Sequence, residues 1–227
     1  AVTSAHSNVG IGISALSSAH GAGNVAIGRG ALSNTTDANQ VAIGYSALEA
    51  NTAGEKNTAV GFQALEANTT GNYNVAIGHE ALEANVHGDG SVAIGYEALA
   101  TSAPADGAGF NVGIGYQALT ASTTSYSNVG VGNKAGTGVT TGYSNTLIGA
   151  QAGESVGTHN HNTYVGYNAG IYHSGDANVG IGSNAMRTGS ADENVAVGNG
   201  AMTKVSGGSS GVAIGYAAGY SPTGNYN

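Results

Sequence analysis

Apolar and small residues return along this chain in one short phrase, separated by polar stretches. Asn24-Val25-Ala26-Ile27-Gly28 comes back as Gln40-Val41-Ala42-Ile43-Gly44, Asn57-Thr58-Ala59-Val60-Gly61 and Asn74-Val75-Ala76-Ile77-Gly78. Thirteen copies begin at residues 8, 24, 40, 57, 74, 91, 111, 128, 145, 162, 178, 194 and 211. Their spacing is 16 or 17 residues, with one interval of 20 after residue 91. With the first residue of the phrase as position 0, Asn stands there in ten of thirteen copies. Position 1 is Val or Thr, position 3 is Ile or Val, and position 4 is always Gly. Position 7, as at Ala31 and Ala81, is always Ala, and position 8 is Leu in the first seven copies.

β-Branched residues two apart predict a short strand with both side chains on one face. The fixed Gly (Gly28, Gly78) ends that strand, where a positive φ or a close backbone approach is needed. Stretches such as Asn68-Thr69-Thr70-Gly71 are turn chemistry. A unit of 16–17 residues with one such strand cannot bury its face alone, but stacked copies can. The expected fold is all-β: a parallel β-solenoid of about thirteen 16–17-residue coils forming one repeat array over 1–227. Adjacent coils about 4.8 Å apart give a rod of roughly 60 Å. Stacking is expected to bury the Val25/Ile27 and Val75/Ile77 faces, and to line Asn24 and Asn74 into a hydrogen-bonded ladder. The 20-residue copy is expected to hold a local insertion in the coil 91–110, around Pro104.

The energetics point beyond one chain. About three sizeable apolar side chains per coil contribute roughly 1.5–3 kcal/mol each. Fixing the backbone costs about 1–2 kcal/mol per residue. The shortfall predicts a homotrimer of parallel coils. The array opens at Ala1 without Met and ends on the start of a new phrase at Asn227. It reads as a fragment of a longer fibre.

Composition narrows the function. Charged residues are 8%, Gly contributes 40 residues, Cys none, and the net charge is −8. An acidic chain with 5 basic residues lacks the clustered cations that bind nucleic acid. No apolar run is long enough to span a membrane. No Ser-His-Asp set stands out, so no enzyme and no cofactor is expected. G-x-G-x-x-A strings such as Gly130–Ala135 fall out of the repeat, whereas a dinucleotide fingerprint occurs once, between a strand and a helix. His159 and His161 have the one metal-like spacing, because alternate residues of an extended segment face the same way. Tyr45, Tyr96, Tyr116, Tyr167 and Tyr216 share position 5 and form a candidate surface-contact row. Glu49, Glu66 and Glu83 recur on the turn, where stacked like charges splay into solvent or hold Ca²⁺ loosely.

The Ser91–Gly95 and Asn24–Gly28 phrases resemble the head repeats of trimeric autotransporter adhesins of the YadA type. Asn57–Leu65 followed by Asn68–Gly71 is similar to repeats of bacteriophage tail fibres. The resemblance implies a left-handed β-roll, a homotrimer, and a place outside the cell, on a virion tail or a bacterial surface. It implies a non-enzymatic fibre segment that mediates or supports attachment, with a host receptor or glycan as possible partner and no membrane insertion here. The adhesin coils are shorter, typically about 14 residues. The alternative is an ice-binding solenoid with a flat repetitive face, for which Thr35, Thr69, Thr124 and Thr141 are too irregularly placed.

Overall fold

The computed structural model describes residues 7–18, 21–105, 109–205 and 207–219. It is all-β, without a helix among the described residues, and winds as a parallel β-solenoid of about 12 turns. The chain divides into two compact units, 1–111 and 112–227. In the first, β1 (Val9–Ile11), β2 (Val25–Ile27), β3 (Val41–Ile43), β4 (Thr58–Val60), β5 (Val75–Ile77) and β6 (Val92–Ile94) pair in chain order. In the second, β7 (Val112–Ile114), β8 (Val129–Val131), β9 (Thr146–Ile148) and β10 (Thr163–Val165) do the same. That ladder continues through β12 (Val179–Ile181), β14 (Val195–Val197) and β16 (Val212–Ile214). A second ladder joins β11 (Tyr172–His173), β13 (Thr188–Gly189) and β15 (Lys204–Val205). All these pairings are parallel and in repeat register: Val25 lies on Val41, and Ile27 on Ile43.

The face that turns inward differs from the expectation. Strand alternation sends position 2 opposite to positions 1 and 3, and position 2 is the one that points in. Ala26, Ala42, Ala59 and Ala76 are fully buried, with Ala31, Leu32, Ala64 and Leu65 beside them. Val25, Ile27, Val75 and Ile77 face outward and stay half-exposed, Ile77 at 39%. Stacking covers only their flanks. The physical reason is room: a coil this short encloses space for Ala, Ala and one Leu per turn, and a β-branched pair does not fit inside as well.

Three inward positions share that space. In nine of the eleven copies with a small residue at position 2, Leu or Met at position 8 fills the core. At Gly136 the space is taken by Leu119 and Leu147 of the adjacent coils, each 2.7 Å from where a Cβ would stand, and the last copy carries Gly219. Leu147 and Tyr164 reverse this, filling it from position 2 while Gly153 and Gly170 take position 8. A Cβ on Gly153 would stand 3.0 Å from both Leu147 Cδ1 and Val156 Cγ2. Position 11 completes the set. It is buried and polar at Thr35, Asn51, Asn68, Asn85, Ser102 and Ser122, then apolar at Val139, Val156 and Val205.

Candidate interaction surface

Asn24, Asn57, Asn74, Asn128, Asn145, Asn162 and Asn178 are fully buried or nearly so, and each bonds to the coil that follows. The Asn74 side chain shows the pattern. Its Oδ1 accepts from the Ser91 backbone N–H at 2.9 Å, and its Nδ2 donates to the Gly88 carbonyl at 2.7 Å. Asn24 does the same with Gln40 and Asp37. The amides therefore mainly satisfy backbone groups one coil on. Side chain to side chain bonds are added in places, as from Asn145 Nδ2 to Asn128 Oδ1 at 3.0 Å. The longer Gln40 and the shorter Ser91 depart from the pattern: Gln40 Nε2 donates to Thr35 Oγ1 at 3.0 Å, and the Asn111 N–H reaches Ser91 Oγ at 3.3 Å.

A second inward Asn row is not foreseen by reading Asn68–Gly71 as turn chemistry. Asn68 Nδ2 donates to Asn51 Oδ1 at 2.8 Å, and Asn85 Nδ2 to Asn68 Oδ1 at 2.9 Å. The signal was present in the recurrence of Asn three residues before Gly54, Gly71 and Gly88. Those glycine carbonyls accept from the same amides. Tyr164 and His173 were missed too. Both are fully buried, and the Tyr164 hydroxyl lies 3.0 Å from His173 Nδ1. Burial is the main force raising the Tyr164 pKa. Burial, and then the charge of His159, lower His173 to about 4 against a weaker opposing pull from Asp192.

On the outer face of the first unit, two kinds of side chain form rows along the stack. The half-exposed Val and Ile of β1 to β6 make one stripe, with no charged residue at positions 1 or 3. Position 5 makes a second row along it. Tyr45 and Phe62 stack at 5.3 Å, Phe62 and His79 at 4.9 Å, and His79 and Tyr96 at 5.2 Å, with ring planes within 13–19° of parallel. The Arg29 guanidinium lies 5.6 Å over the Tyr45 ring. The one-coil period sets this geometry, since in-register strands hold like positions about 4.8 Å apart. These rings spend their faces on one another and present edges outward. In the second unit the row is interrupted: Tyr116, Tyr167 and Tyr216 are exposed, separated by Asn133, Ala150, Ser183 and Asn199.

The acidic row sits on the next turn. Glu49, Glu66 and Glu83 are half-buried. Burial raises the Glu83 pKa, followed by the neighbouring Glu80 and Glu66 carboxylates. Gln63 Nε2 donates to Glu66, and Gln151 Nε2 to Glu154 at 2.9 Å, so some acids are held by amides on their own turn. His159 and His161 take different partners. His159 Nδ1 is 3.4 Å from an Asp176 carboxylate oxygen, and the His161 ring sits edge-on to Tyr143 at 5.1 Å. Among the described residues, no three His, Asp or Glu side chains are placed to hold one metal ion. Thr36, Thr52 and Thr69 do form a row, but their hydroxyls donate to backbone carbonyls of the next coil.

Comparison with protein-family models, curated proteins and solved structures gives no match to this chain. No helix among the described residues is long and apolar enough to cross a membrane.

Proposed function

We propose that this chain is a non-enzymatic segment of a homotrimeric fibre, exposed outside the cell on a virion tail or a bacterial surface. In this reading it is a left-handed roll of thirteen coils that supports attachment to a host cell or surface. The observation that carries it is the outward Val/Ile stripe. Each coil closes its own core with Ala and Leu, yet keeps its two β-branched residues on the outside, where water contact is unfavourable. In the first unit the stripe runs over β1 to β6 without a charged residue at positions 1 or 3, the kind of contiguous exposed apolar patch that marks an interaction surface.

A second copy of this chain fits that surface better than an unrelated partner. The stripe repeats with the spacing of the strands, and only another ladder of the same spacing meets it coil for coil. A parallel, cyclic arrangement sets every coil against its own counterpart, and three copies follow from the resemblance to adhesin heads and tail fibres. The low charge of the chain agrees with surfaces that lose water on assembly.

Sedimentation equilibrium and native mass measurement test this directly. A species of three chains that persists in mild denaturant is expected. A folded monomer at micromolar concentration would overturn the fibre reading.

A further inference from the structure

We propose that the first unit carries a binding notch for one acidic sugar residue, a pyranose bearing a carboxylate, between Arg29 and Glu49. This deepens the attachment reading and rests on it for its biological meaning, but not for its chemistry. The notch encloses about 320 Å³, the low end of small-molecule sites and enough for a single sugar.

The sequence makes the notch locally. On later coils of this unit, position 6 carries Gln63, Glu80 or Glu97, and position 9 carries Glu66 or Glu83. Gln63 Nε2 donates to Glu66 across the corresponding space. Position 6 of the second coil is Gly30, and position 9 of the first two coils is Ser17 and Ser33. Small residues leave the groove open there. The Glu49 carboxylate leans over the opening: a Cβ on Gly30 would stand 3.1 Å from its Oε2 and 3.6 Å from Ser46 Oγ.

The lining has the donors and acceptors of polyol recognition. Arg29 is the one cation of the lining, in a chain of net charge −8. It forms no ion pair among the described residues, and Tyr45 holds it by stacking at 5.6 Å. A guanidinium oriented before binding loses less freedom when it grips a carboxylate through two parallel N–H bonds. The Glu49 carboxylate likewise has no side-chain partner among the described residues, and it accepts from hydroxyls. Serine hydroxyls, including that of the buried Ser46, supply bonds of either sense, while Ser17, whose hydroxyl donates to the Ser33 carbonyl at 3.0 Å, is left to accept. An apolar ligand has nothing to rest on, because one face of Tyr45 is covered by Arg29 and its stack continues into Phe62. Recognition is therefore by hydrogen bonds and one charge pair, which selects a hydroxylated anion.

The test titrates the intact chain with D-glucuronate and with D-glucose, following saturation transfer to the sugar and the Tyr45 ring shifts. Glucuronate is expected to bind, and glucose to bind about tenfold more weakly or not at all, the worth of one charge-assisted pair. Arg29→Gln should bring the two sugars level. Gly30→Gln should abolish binding of both by filling the notch. Position 6 accepts Gln in the left-handed conformation at Gln63, Gln117 and Gln151, so that variant is expected to fold, as circular dichroism would verify. Absence of glucuronate binding, or equal binding by folded Gly30→Gln, overturns the site. Equal affinity for both sugars in the unaltered chain overturns the acidic-sugar assignment. Sedimentation of the same samples reports assembly separately, so a trimer that binds no sugar removes this inference and leaves the fibre reading in place.

Discussion

Leu65 holds φ at +52°, and Gly61, four residues earlier, at +144°. The same pair of conformations occurs in every copy of the phrase, with further left-handed residues at position 6 and just before position 0. Position 4 is Gly throughout because its φ of 129–144° is open to Gly alone. Contact enforces the choice: a Cβ on Gly166 would stand 2.7 Å from the Gly182 carbonyl of the next coil. Gly166→Ala should therefore destabilise the fold by about 2–4 kcal/mol, combining backbone strain with overpacking. Lys134→Gly, at the ordinary left-handed φ of +56°, should be neutral or stabilise by about 1 kcal/mol. Urea unfolding of the two variants separates these cases. His173 gives a residue-scale pH effect. Its folded pKa of about 4 lies below the ordinary value near 6.5, so the unfolded chain binds a proton that the folded one refuses. Stability is full above about pH 6.5, falls by about 3 kcal/mol on acidification toward pH 4, and gains no further loss from this group below that. In His173→Val that slope should vanish from a plot of unfolding free energy against pH.

At the scale of one coil, magnitude decides which residue fills the centre. Leu in the left-handed region costs about 1–2 kcal/mol, while burying it contributes about 1.5–3 kcal/mol. Leu therefore stands at position 8 in all five copies of the first unit whose position 2 is Ala, and Met202 takes the same place opposite Ala196. Where Leu147 or Tyr164 reaches the centre from position 2, Leu at position 8 would meet occupied space, and Gly relieves both clash and strain. The coil of Tyr164, Gly170 and His173 and the coil of Leu147, Gly153 and Val156 are two solutions of one volume problem. Exchanging them tests it. Tyr164→Leu alone leaves a cavity and strands the His173 imidazole, whose Nε2 already lacks a partner among the described residues. It should cost about 3–5 kcal/mol. Adding His173→Val recreates the neighbouring core, so the double variant should be more stable than the sum of the singles predicts, by about 1–3 kcal/mol of coupling. A thermal or urea double-mutant cycle measures that term.

For the whole molecule, the proposed trimer together with an inward Ala and an outward Val/Ile pair predicts that stability and assembly are separable. Ile43→Lys with Ile77→Lys places two charges on the outward stripe, where Ile43 is 36% and Ile77 39% exposed. Neither substitution touches the Ala–Leu centre. The double variant is expected to keep its β-sheet circular dichroism and to sediment as a monomer, with the unaltered chain as a trimer. Loss of the sheet signal along with the trimer would mean that the single coil stack cannot stand without its neighbours. Charge placed on a packed trimer face costs several kcal/mol per buried, unpaired group, enough to dissociate it at micromolar concentration.

Periodicity alone dictated the all-β parallel stack, its register and the place of every Gly bend, because a repeat that cannot bury itself must stack on its copies. The in-register Asn24 and Asn74 rows and the position-5 row that runs through Tyr45 and Tyr96 were legible for the same reason. Tertiary structure alone decided which face of the strand looks inward. Alternation separates Ala26 from Val25 and Ile27 but does not say which side is enclosed; the radius of the coil does. The Asn51–Asn68–Asn85 row stayed hidden because Asn before Gly reads locally as a turn, and only closure of the coil turns it inward. The Tyr164–His173 contact and the notch at Gly30 are likewise products of closure. They join residues nine or more apart on one coil, or on neighbouring coils, whose meeting depends on the path of the turn and not on the repeat.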